Sequence, residues 1–210
     1  MFGIVGYKMF LISGILLNLT PGSDTVYILT RAGVGGRKKG IASALGITTG
    51  ILIHTVLAAL GLSVILAKSA ALFNAMKLAG AVYLAVMGIK TILSKDGIIS
   101  HENNQKDENI FKVYRQGVLT NALNPKVAVF FLALLPQFVS PENTYGPLPF
   151  LILGFTFFCT GTIWCTFLAY VASFISNFLQ KNDKVKTIAS KATGVIYILL
   201  GLNVLRAKME

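Results

Sequence analysis

Charge is what this sequence has least of. Only 13% of its 210 residues are Asp, Glu, Lys or Arg, where a soluble domain carries about 25%. No charged residue occurs from Gly40 to Ala67, nor from Asn143 to Gln180. A hydrocarbon core about 30 Å thick needs roughly 20 apolar residues of helix, so two such runs exclude an ordinary soluble fold. Acidic residues are scarcer still, eight against nineteen basic ones. Asp24 is the only carboxylate inside an apolar run, which removes the paired carboxylates that intramembrane aspartyl chemistry requires. The two cysteines, Cys159 and Cys165, lie six apart in one apolar segment; a regular helix does not bring them within disulfide reach, and nothing nearby completes a metal set. No HExxH occurs and no serine pairs with His54, so hydrolytic enzyme chemistry has no carrier.

What is there is 54% hydrophobic residues and a net charge of +11. The pattern predicts an all-α membrane protein with about six transmembrane helices, at about 4–30, 41–67, 70–93, 116–139, 148–176 and 188–205. A single transmembrane domain fills residues 1–210. The first apolar run starts without a basic flank and leads into Asn18-Leu19-Thr20-Pro21-Gly22, so no cleavable signal peptide is expected. The positive charge reads as membrane topology and not as a nucleic-acid footprint, because it sits in short connections. Residues 31–40, 90–115 and 177–191 hold 13 of the 19 basic residues. The positive-inside rule puts these connections in the cytoplasm and both termini outside.

Two features point to an internal repeat. Lys77-x-x-Gly80-x-x-Tyr83 recurs as Lys191-x-x-Gly194-x-x-Tyr197, and Thr20-Pro21 in the first span matches Asn124-Pro125 in the fourth. Repeat one covers about 1–93 and repeat two about 116–210, with a cytoplasmic loop at about 94–115 that includes His101. Three spans per copy is odd, so the second copy is inverted, an arrangement that transporters share.

Proline stops a helix and suits the first position of the next, so the first and fourth helices are expected to break at Pro21 and Pro125. Thr20 and Asn124 would cap the new half-helices. Each proline lies ten residues from a cytoplasmic arginine, Arg31 or Arg115, roughly 15 Å along a helix and so about mid-membrane. Two half-helix N-termini at that depth favour an anion such as a carboxylate. Asp24 and Lys126 fall in the first turns. Asp24 suits a positive helix end; Lys126 is opposed by it and needs an anion, either Asp24 or a substrate carboxylate. A structural Asp24–Lys126 pair is the competing reading. Ala42, Gly46, Gly50, His54 and Ala58 recur at every fourth position, a stripe suited to close packing within one chain or between two. His54 is either a proton or substrate residue or a structural histidine bonded to a carbonyl. Trp164 and the phenylalanines read as lipid-facing or core.

Asn18-Leu19-Thr20-Pro21-Gly22-Ser23-Asp24, Gly46-x-x-x-Gly50-x-x-x-His54 and Ala122-Leu123-Asn124-Pro125-Lys126, in this order, resemble the LysE/RhtB family of bacterial amino-acid exporters along essentially the whole chain. The sequence departs from that family at Ser23, where a second proline is usual. The resemblance implies a multi-pass protein of the bacterial inner membrane. It would export small amino acids, homoserine- or threonine-like or otherwise neutral, by proton antiport with alternating access, and it needs no cofactor or metal. The site residues it implies are Asn18, Thr20, Pro21, Gly22, Asp24, His54, Asn124, Pro125 and Lys126. The partners are the amino acid, protons and the bilayer, with a homo-oligomer left open. Inorganic cation export and an intramembrane enzyme are the alternatives; for the first, Asp24 and His54 are too few ligands.

Overall fold

The structure is a computed structural model. It describes residues 2–68 and 109–181, together with single helical positions at 71, 75, 78, 79, 81, 82, 85, 86, 89, 93, 195, 198, 199 and 202. The Lys77 and Lys191 repeat motifs, His101 and the connections at 94–108 and 182–191 lie outside the described residues.

The chain is a helical membrane protein. Helix α1, Tyr7–Leu19, stops at Thr20, whose backbone is extended (φ −72°, ψ 116°). Proline at 21 is the cause, because its ring disfavours a helical conformation in the residue before it. Helix α2, Ser23–Lys68, is two helical arms joined at Gly36 (φ 70°, ψ −173°), a conformation that L side chains rarely adopt. The arms fold against each other there. A Cβ added to Gly40 would lie 2.8 Å from the Ala32 Cβ, although eight residues of straight helix extend about 12 Å. The 31–40 connection is therefore no loop: both arms are helical up to a reversal at one glycine.

Helix α3, Ile110–Ala122, begins at an Asn109 cap whose Oδ1 accepts from the Phe111 N–H. The fourth span thus starts six residues before the expected 116. After a break at 123–124, α4, Pro125–Val129, passes into a π-helical turn, Phe130–Leu134, and a 3-10 turn, Leu135–Phe138. The two halves of this span bend by 44°. Helix α5, Leu148–Lys181, is the long fifth span. Gly35–Gly61 and Leu148–Ser173 are each long and apolar enough to cross a membrane.

The outer surface is what a bilayer requires. Met9, Ile12, Leu57, Leu60, Phe155 and Ile163 are all exposed, and lipid solvates such side chains where water would not. At the described positions of the third span, Leu78, Val82, Val86, Ile89 and Leu93 face outward while Ala81 is buried. Inside, Phe10, Phe130, Phe131, Phe138 and Phe157 form the main core, with Phe130 stacked on Phe157 at 4.6 Å. Ile28, Ala44, Ile47, Cys165 and Ala169 form a second cluster.

The glycine stripe of α2 is used inside the chain. Gly46 faces the Tyr114 carbonyl and Gly117 of α3, and a Cβ on Gly50 would meet the Asn121 side chain at 2.6 Å. The segment before α1 pairs with the end of the fourth span: Val5 N–H donates to the Phe138 carbonyl at 2.9 Å and Ser140 N–H to the Gly3 carbonyl at 2.8 Å. At the opposite end, Tyr27 Oη donates to the Val113 carbonyl at 2.7 Å and Arg31 Nη2 to Gln116 Oε1 at 2.8 Å. The N-terminal segment and the 139–147 connection thus share one end of the bundle, and the 31–40 reversal takes the other.

Candidate functional site

The two breaks meet. A helix that stops leaves its last carbonyls without intrahelical partners. In α1 the Leu16 carbonyl is taken by Thr20, through its N–H and through Oγ1 at 2.6 Å. Lys126 Nζ donates to the Thr20 carbonyl at 3.0 Å and to the Leu17 carbonyl at 3.2 Å, the latter shared with the Thr20 N–H. A cation at the start of its own helix α4 is disfavoured by that helix's dipole, but here it closes the negative end of α1. Gly22 admits it: a Cβ there would stand 3.3 Å from Nζ.

The other break is arranged crosswise. Asp24 lies in the first turn of α2, where a carboxylate is favoured. Its Oδ2 accepts from Asn121 Nδ2, in the last turn of α3, at 2.8 Å. Each span's second half-helix therefore sends a charged side chain to the terminal turn of the other span's first half-helix. No ion pair joins Asp24 to Lys126, so the direct pairing is not formed in this conformation.

Around these charges, polar atoms are buried without a protein partner: Asp24 Oδ1, Asn121 Oδ1, Asn124 Nδ2 and Trp164 Nε1. Such groups cost about 1–3 kcal/mol each when unsatisfied, so their concentration at one place makes it the candidate site. Three of the four belong to residues lining a cavity of about 20 Å³, with Asn18, Thr25 and Lys126 completing its polar wall and Ile47, Ile51, Val127, Phe157 and Cys165 the rest. That volume holds about one water. Toward the 31–40 reversal, the Tyr27 and Arg31 bonds tie α2 to α3; toward the other end, Phe10, Phe130, Phe131 and Phe157 pack.

The expected site residues divide. Asn18, Asp24 and Lys126 line the cavity. Thr20 is buried and supplies a carbonyl to Lys126. Asn124 caps α4 as expected, its Oδ1 accepting from the Lys126 N–H at 3.0 Å, and Pro125 takes the first helical position. Pro21 does not: α2 starts at Ser23, so Pro21 and Gly22 are linker, and Thr20 ends α1 instead of capping α2. Ser23 holds the first helical position, where proline is well tolerated. His54 lies outside the cavity wall. Its Nε2 meets the Asn121 carbonyl at 3.0 Å, and its ring stacks on Phe131 at 5.6 Å. A carbonyl only accepts, so Nε2 carries the proton.

Asn121 and Trp164 were not among the expected residues. Asn121 had a signal, as a second polar amide one turn before Asn124 in an otherwise apolar span. Trp164 had none beyond being the single tryptophan. Among the described residues, no three His, Cys, Asp or Glu side chains come together to hold a metal ion.

This arrangement can be set beside known proteins. No solved structure matches the chain. It is 31% identical over 195 residues to the uncharacterized membrane protein YrhP of Bacillus subtilis, covering 89% of this chain and 92% of that protein. It is 31% identical over 192 residues to the homoserine/homoserine lactone efflux protein of Salmonella typhimurium, covering 91% and 92%. It is 24% identical over 200 residues to the leucine efflux protein of Klebsiella pneumoniae, covering 94% and 93%. The sequence profile of LysE type translocators matches residues 15–208, and the chain therefore belongs to the LysE type translocator family.

Proposed function

We propose that this protein exports small neutral amino acids from the cytoplasm in exchange for protons, by alternating access to the site between the two breaks. The observation that carries the reading is the set of buried, unsatisfied polar atoms around one charge of each sign. Asp24 Oδ1 and Asn121 Oδ1 are acceptors suited to an α-ammonium group. A lysine ammonium has three donors; two of Lys126's go to Leu17 and Thr20, and the third is available to an α-carboxylate. Opposed acceptors and donors in one cavity match a zwitterion better than an ion of either sign.

Asp24 is also the group through which exchange would run. Its free oxygen takes either a proton or the substrate ammonium, but not both, which is the requirement for antiport. The cavity is far smaller than the roughly 300–1,000 Å³ of ordinary ligand sites. This supports reading the conformation as a contracted one that opens to load and release. The crosswise contacts of Asp24 and Lys126 support two inverted three-span repeats, and the efflux named in two relatives supports the outward direction. Together with the basic residues at 31–40 and 112–115, they favour the bacterial inner membrane with that end in the cytoplasm.

The test is flux in liposomes containing the purified chain. Labelled alanine, homoserine, threonine and leucine should each be driven against an imposed proton gradient, and Asp24→Asn should abolish the drive. If no amino acid crosses faster than in protein-free liposomes, the reading is wrong.

A further inference from the structure

Beside the polar cavity lies a second space of about 370 Å³ between α1 and α5. Its floor and rim are Ile15, Leu19, Ile163 and Phe167, all exposed to the hydrocarbon side. The two spaces have two wall residues in common, Asn18 and Trp164. Asn18 is held to α5 through Nδ2 and Thr160 Oγ1 at 3.3 Å. Trp164 is not held by a hydrogen bond, since its buried Nε1 has no protein partner. One indole therefore stands between a polar chamber that fits only about one water and an apolar groove large enough for an aliphatic chain.

We infer that Trp164 is a movable partition, and that the groove behind it receives the side chain of a substrate whose zwitterionic end lies between Asp24 and Lys126. This rests on the export reading above and narrows it: the preferred substrates are amino acids with aliphatic side chains, such as leucine, over hydroxylated ones of similar length. Two independent features carry it. The polar chamber has no room for a side chain, so the remainder of any amino acid must displace a wall. Among the wall residues, Trp164 is the large one that carries a buried, unpaired polar group and lines both the polar chamber and the apolar space. When it swings, its Nε1–H becomes a donor for the substrate carboxylate. A homoserine hydroxyl entering the groove would find walls that are carbon apart from Asn18 and Thr160, which already bond each other and the Phe157 carbonyl, and the hydrogen bonds it loses are the penalty that sets selectivity.

Trp164 is the single tryptophan of the chain, so intrinsic fluorescence reports on the partition alone. Leucine titrated into the purified full-length protein should shift its emission saturably. In liposomes, leucine should outcompete homoserine by on the order of tenfold or more, the scale on which apolar sites discriminate. Ile15→Phe fills the groove and should bring the leucine-to-alanine flux ratio down by a similar factor. Failure of all amino-acid flux sinks the export reading along with this one. Leucine flux with an unresponsive tryptophan, or a flux ratio indifferent to Ile15→Phe, overturns this inference alone and gives the groove to a lipid chain.

Discussion

Lys126 of the fourth span donates from Nζ to the Thr20 carbonyl of the first at 3.0 Å, so the cation is held by the open end of another helix and not by the carboxylate of Asp24. The amine keeps a spare donor while its position is fixed by backbone. This geometry suits the binding role proposed for Lys126, since a carbonyl partner orients the ammonium without cancelling its charge.

Lys126→Met should lower the melting temperature in detergent, because it leaves the Thr20 carbonyl buried without a partner, at a cost of about 1–3 kcal/mol, and leaves the Leu17 carbonyl with only the Thr20 N–H at 3.2 Å. Asp24→Asn added to it should give no recovery. A double variant that melts markedly above Lys126→Met would show that the two charges stabilise each other directly.

Asp24→Asn should insert and fold with a melting temperature close to wild type. The substitution keeps shape and an acceptor for Asn121 Nδ2 while removing the charge and the titratable proton. Export should fall to background. Normal export by this variant in the liposome assay would exclude Asp24 as the exchanging group.

Asn121→Ala removes the donor to Asp24 Oδ2 and leaves the backbone bond to His54 in place. A hydrogen bond to a charged group contributes about 1.5–3 kcal/mol, so the half-saturating substrate concentration should rise by about tenfold or more. His54→Asn, outside the cavity, should affect melting more than half-saturation. The reverse order would move His54 into the binding site.

Gly50→Ala should destabilise by about 1–3 kcal/mol through overpacking, because the added Cβ meets the Asn121 side chain. Gly61→Ala, with no atom within 4 Å of its Cβ, should not destabilise. Equal melting of the two variants would mean that α2 and α3 do not pack closely at Gly50.

In a background with Cys159 and Cys165 replaced, Lys38→Cys should react with an impermeant maleimide only from the cytoplasm and Thr144→Cys only from outside. Both positions are exposed, and they lie at opposite ends of the bundle. Labelling of the pair from the swapped sides would invert the orientation expected from the basic residues.

Much of this protein follows from one-dimensional properties. Apolar runs longer than a bilayer's thickness specify membrane helices whatever their partners. A proline interrupts a helix by its own covalent structure, so breaks near Pro21 and Pro125 were legible, as was the Asn124 cap, whose side chain bonds the N–H two residues on. The charges at 24 and 126 were conspicuous because the solvent is hydrocarbon. Other facts depend on where distant segments come to lie. Pro21 ends α1, but that Lys126, more than a hundred residues away, closes the α1 carbonyls is not local information. Gly36 turns a predicted loop into a hinge between two packed arms, and only the contact of Ala32 with Gly40 reveals it. Asn121 and Trp164 look like an amide and an aromatic in apolar helices; they become candidate site residues when α3 and α5 bring them to the cavity wall. Local covalent preference decides where a helix stops, but which side chain meets its open end is a matter of packing between elements, and that is written in three dimensions.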